Sequence, residues 1–176
     1  MNTRDRIVDT ASRLFYTQGY NNTGINQVIK EAEVAKASLY QYFPSKDDLL
    51  VEYLTVTSHY TMDTLRKVAA KFKTPKDKVL ALFDFLIDFS KQTEYQGCNF
   101  LNIASEIARD NSKVKALIQN QKTQTRKLFV EILKPSGKEA LADEMYLLFD
   151  GALITSKVYG DIWPILTSKK IVEKLI

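Results

Sequence analysis

AKASLYQYFPSKDDLL, residues 35–50, holds the end of one short helix and the start of a long one. Pro44 has no amide hydrogen and restricts the residue before it, so a helix opening near Lys36 stops at Phe43. Ser45 then stands where an N-cap belongs. Asp47 and Asp48 follow in the first turn, where negative charge offsets the free amides of a helix start. The short helix begins with small residues, and Leu39 and Phe43, four apart, mark its buried side.

Upstream, Ile7, Val8, Ala11, Leu14 and Phe15 recur at helical spacing over 3–18, and Gly19 is a plausible stop. Asn21 and Asn22 suit a turn, and Thr23 is expected to cap a helix over 24–32 with Ile25, Val28 and Ile29 inward. A tight connection at Glu33–Ala35 leads into the short helix over 36–43. Three short helices with a tight second-to-third turn are the pattern of a helix-turn-helix. Its last helix must be short, outward-facing and small at its start to fit a major groove about 12 Å wide. Ala35, Lys36, Ala37 and Ser38 meet that need, and Tyr40 and Tyr42 carry hydroxyls suited to phosphate oxygens. Lys46 and Thr23 are expected on phosphates as well.

Downstream the apolar period stays near three to four, and alternation with period two is scarce, so the whole chain reads as all-α. A long helix is expected over 46–72, and Pro75 opens the next. Further helices are expected over 99–109, 112–134 and 138–159, with a turn at Lys134-Pro135-Ser136-Gly137 and a final short segment after Gly160. The domain reading is a module of residues 1–46 followed by a helical bundle of 47–176.

The 176 residues carry a net charge of +4, 45% apolar side chains, one cysteine and one histidine. Over 1–46 six bases face four acids, so charge alone does not argue for DNA. One cysteine, Cys98, excludes an intrachain disulfide, and with no leader or membrane span in view it points to the cytoplasm. Cys98 reads as a small buried residue and His59 as structural or exposed. The sequence has no metal-ligand cluster, phosphate loop, GxSxG or paired acid and base, so neither enzyme nor cofactor is expected.

Ile7 to Leu50 resembles the DNA-binding module of the TetR family of repressors. The resemblance rests on Ala11, Leu14, Phe15, Gly19, Tyr20, Thr23, Ile25, Leu39, Tyr40, Phe43, Ser45, Lys46 and Leu49. GCNFLNIASE (97–106) is similar to a segment of the C-terminal domain in one branch of that family. The family turn carries Gly, an apolar residue and Ser; this chain has Glu33-Val34-Ala35. The resemblance implies double-stranded operator DNA as partner. It also implies a small apolar or amphipathic effector between helices, with Tyr60, Phe83 and Phe100 as candidate lining, whose binding moves the helix beginning at Lys46 and releases the DNA.

A single reading head contacts too few base pairs to select one site in a genome, so a homodimer is expected. Its surface is read from the last two helices, on the stripe Leu141, Met145, Leu148, Phe149 and Ala152 together with Trp163. Two rival readings are a helical protein-interaction module with a degenerate helix-turn-helix and a small helical enzyme using His59 or Cys98.

Overall fold

The computed structural model describes residues 2–176. Among them the elements are α1 (Thr3–Thr17), α2 (Ile25–Glu31), α3 (Lys36–Tyr42), α4 (Lys46–Ala70), α5 (Pro75–Gln92), α6 (Asn99–Glu106), α7 (Ser112–Leu133), α8 (Ala142–Tyr159) and α9 (Trp163–Leu175). No strand occurs among the described residues, as the scarcity of period-two alternation predicts.

The chain forms two compact units, one of residues 1–58 with 99–119 and one of 59–98 with 120–176. The expected boundary at residue 46 therefore falls too early. The reason is visible on α4, whose first turns bury Leu49, Leu50, Tyr53 and Leu54. Tyr53 meets Phe15 of α1 edge-on at 5.7 Å, and its hydroxyl donates to Asn99 at the start of α6.

In the first unit, Asn2 caps α1 by accepting from the Asp5 amide at 2.9 Å. The inward stripe of α1 is the one read from the sequence. Leu39 and Phe43 anchor α3 by burying the side away from solvent. Truncating Leu39 to Ala would cost about 2–5 kcal/mol by the usual cavity argument. Ser45 begins α4 with a reciprocal cap: its hydroxyl accepts from the Asp48 amide at 3.1 Å and donates to the Asp48 carboxylate at 2.7 Å.

In the second unit, Thr74 caps α5 in the same manner, and Pro75 occupies the first turn. The core gathers Leu65, Phe83, Leu86, Phe129, Met145, Phe149, Ile165 and Val172 among others. Helix α8 starts at Ala142 rather than 138, because Gly137 turns left-handed (φ 67°) and Glu139–Leu141 forms a separate 3-10 turn.

Candidate nucleic-acid interface

Helix α3 is held from below and open above. Leu39 is fully buried, whereas Ala35, Lys36, Ala37, Tyr40, Gln41 and Tyr42 are exposed and Ser38 is half-buried. Every residue expected to face the groove from this helix is thus presented on one unit, and Lys36 makes no ion pair among the described residues. Gln41 joins this face one turn beyond Ala37. The i, i+4 spacing carried that signal, and the sequence reading passed over it. A glutamine amide can donate and accept at once, which suits a base edge.

The turn into α3 is unusual. Glu33 adopts φ 53°, the left-handed region that glycine occupies without penalty. Ala35 then sits at the N-cap position of α3 with no side chain able to bond the free amides. Both departures from the family pattern are therefore real backbone features.

Two residues expected on phosphates, Thr23 and Lys46, have partners within the reading head. Thr23 is buried; its hydroxyl donates to the Gly19 carbonyl at 2.7 Å and accepts from Gln18 at 3.2 Å. The N-cap of α2 is Gly24, without a side-chain bond, so Thr23 fastens the α1–α2 turn instead of capping a helix. Lys46 donates to the Tyr20 carbonyl at 2.6 Å and lies over the Tyr20 ring at 4.1 Å. Burial pushes the Lys46 pKa below its ordinary value, against the pull of Glu106 and Asp47. Its ammonium is an internal fastener of the reading head. The Tyr20 hydroxyl donates to Asp47, and burial first, then Asp47, pushes the phenol pKa far up.

The same turn is gripped from α6. The Asn21 amide donates to the Glu106 carboxylate at 2.7 Å, and the Asn21 side chain donates to the Glu106 carbonyl at 3.0 Å. Gly19 permits the approach: a Cβ there would stand 3.1 Å from both carboxylate oxygens, at φ 92°. Glu106 lies 85 residues from Asn21 in sequence, and no local pattern announces the pairing.

The other candidates fare differently. Met145, Phe149 and Ala152 are buried in the core of the second unit, with Leu141 and Leu148 packed against it. Leu148 and Ala152 nonetheless line the groove between α8 and α9, whereas Met145 and Phe149 are buried in the core. What α8 exposes is the neighbouring stripe Leu147, Gly151, Ile154 and Val158, followed by Tyr159, Trp163 and Leu166. Between α8 and α9 runs an open groove of about 260 Å³ lined by Leu147, Gly151, Thr155, Trp163, Pro164 and Thr167 among others. Of the ligand-lining candidates, Tyr60 is 73% exposed, Phe83 packs edge-on against Phe149 at 5.7 Å in the second unit, and Phe100 is buried in the first.

A seven-residue helix projecting small and polar side chains from an anchored three-helix head defines a helix-turn-helix DNA-binding protein. Residues 7–53 match the family described as bacterial regulatory proteins, tetR family. The chain is 30% identical over 169 residues to the HTH-type transcriptional regulator YxaF of Bacillus subtilis, covering 94% of this chain and 86% of that one. It is 27% identical over 169 residues to the HTH-type transcriptional regulator LmrA of the same organism, covering 94% of this chain and 87% of that one. It also superposes on the TetR-family regulator SCO4454 of Streptomyces coelicolor with a TM-score of 0.90 and 25% identity, over 98% of this chain and 87% of that one. The chain belongs to the TetR family, and it is a DNA-binding transcriptional regulator. No helix among the described residues is long and apolar enough to cross a membrane.

Proposed function

We propose that this regulator acts as a repressor: two copies bind a palindromic operator through paired α3 helices, and a small effector releases them. The observation that carries the reading is the exposed row Ala35–Tyr42 standing on the buried Leu39 and Phe43. Lys36, Ser38, Gln41 and the Tyr40 ring reach base edges, and the Tyr42 hydroxyl reaches a phosphate. Operator sequences selected from random DNA by the full-length protein test this. Enrichment of a two-fold symmetric site supports it, and no enrichment over bulk DNA rejects it.

The second copy docks on the α8 stripe Leu147, Gly151, Ile154 and Val158, extended by Trp163 and Leu166. A terminal helix pair that exposes this much apolar surface needs a cover, and a two-fold partner presents the same stripe in return. Such an interface should bury more than about 1,000 Å².

Release follows from the grip of α6. If the effector shifts α6, Glu106 carries the α1–α2 turn with it and changes the spacing of the two reading heads. The effector must prefer the shifted arrangement, since equal affinity for both would move nothing.

A further inference from the structure

The inward stripe of α7 is apolar at Leu128, Phe129 and Ile132, but two of its turns are polar at fully buried positions, Gln121 and Thr125. Gln121, Thr125 and Phe129 follow at i, i+4 and i+8, so they form one line along the helix. The Thr125 hydroxyl lies 3.7 Å from the Met62 sulfur of α4 and 3.2 Å from the Gln121 carbonyl, and the Gln121 amide nitrogen donates to it at 3.1 Å. The Gln121 carboxamide oxygen is sealed from solvent and has no hydrogen-bond partner. Buried polar atoms without partners are rare in native proteins, because the atom gives up its hydration for nothing in return.

The surroundings have the make-up of a binding site. One turn on, Phe129 meets Phe149 at 5.5 Å and Phe149 meets Phe83 at 5.7 Å, a buried aromatic cluster that continues the line of Gln121 and Thr125 along α7. On the adjoining face Lys122 donates to Asp150 at 2.9 Å and to the Cys98 sulfur at 3.3 Å. These two charges cancel locally, so the region offers no net charge to attract an ion. An aromatic surface with one convergent polar group is the usual composition of a small-molecule site.

We propose that Gln121 is the polar anchor of the effector site, and that the effector is an uncharged amphipathic molecule. Its ring or chain lies against Phe83, Phe129 and Phe149, and its hydroxyl or N–H group donates to the Gln121 carboxamide oxygen. The proposal rests on the effector reading above and adds the ligand chemistry. A site built to receive a donor discriminates strongly against an analogue that lacks one.

The test uses the full-length protein and two probes of one shape: indole, whose N–H can donate, and 1-methylindole, in which that donor is blocked. Titration calorimetry should give about tenfold tighter binding of indole, the worth of one buried hydrogen bond. Gln121→Leu should bring the ratio to near one; it removes the unpartnered carboxamide oxygen together with the Gln121–Thr125 hydrogen bond, so its melting temperature should stay close to that of the unaltered protein. Gln121→Met gives the same readout should the leucine pack poorly. The proposal is overturned if neither probe binds, if the ratio persists in the variants, or if the variants merely melt lower with the ratio unchanged. Operator release by indole is read separately. Gln121-dependent binding without release keeps this proposal and counts against the effector mechanism. Release that is equal in both proteins keeps the mechanism and overturns the anchor.

Discussion

The carboxylate of Glu106, at the end of α6, accepts a hydrogen bond from the Asn21 backbone amide at 2.7 Å. With the second bond, donated by the Asn21 side chain to the Glu106 carbonyl, it fixes the turn between the first two helices of the reading head. Glu106→Ala removes the carboxylate's part of the grip, leaving the bond to the backbone carbonyl, without touching α3. It should weaken operator binding several-fold and raise hydrogen exchange at residues 19–23, while the helical content stays the same. Gly19→Ala attacks the same contact from the other side and adds left-handed strain of about 1–3 kcal/mol at that position. Unchanged operator affinity in Glu106→Ala would show that α6 does not position the head.

The turn before α3 holds stability in reserve. Glu33 is left-handed at φ 53°, and Ala35 leaves the N-cap of α3 unfilled. Glu33→Gly should stabilise the protein by about 1 kcal/mol, the scale of left-handed strain in a residue with a Cβ. Ala35→Ser should add about 1 kcal/mol by capping. Both together should raise the melting temperature by several degrees, as seen in thermal denaturation by circular dichroism. A fall in melting temperature for Glu33→Gly would mean that the Glu33 side chain does more than occupy the turn.

In the second unit, Lys122 and Asp150 are each only 13% exposed and pair at 2.9 Å. Burial opposes the Lys122 charge, but Cys98 and Asp150 hold its pKa above the ordinary value. Asp150→Ala strands the ammonium and should destabilise the fold by about 3–5 kcal/mol. The double variant Lys122→Met, Asp150→Leu should recover most of that loss, because an apolar pair needs no solvation. Chemical denaturation of the single and double variants checks this. A single variant as stable as the parent would mean that the pair is hydrated.

Much of the fold was legible because its signals are local. The Pro44 stop, the Ser45 cap, the helix start at Pro75 and the apolar stripe of α1 were read where they stand. The departure from the family turn was legible at Glu33, but its left-handed backbone is seen only in the structure. The misreadings share a physical cause: a side chain's type does not say what occupies it. Lys46 and Thr23 look free in sequence but are fastened to Tyr20 and Gly19. On α8, two adjoining stripes are both apolar, and only packing decides that Met145 and Phe149 go inward while Leu147 and Val158 stay outside. Glu106 and Gln121 are ordinary polar residues until the chain brings distant segments together.

The dimer proposal turns on those outward residues. Sedimentation of the intact protein should report twice the 20.1 kDa chain. Ile154→Glu with Val158→Glu should return it to a monomer while its helical content is kept. A dimer that survives both charges would place the interface elsewhere.

The central claim is that α3 reads operator DNA. Its most direct test is fluorescence anisotropy with a selected palindromic operator, titrated at several salt concentrations with the unaltered protein and with Lys36→Ala and Gln41→Ala. The account predicts two chains per operator and an affinity that falls linearly with salt on logarithmic axes. Gln41→Ala should relax base preference at about 1–3 kcal/mol for the base it reads, and Lys36→Ala should weaken binding with any salt-slope change confined to about one contact. Binding with the same affinity, salt slope and base preference in all three proteins would contradict it.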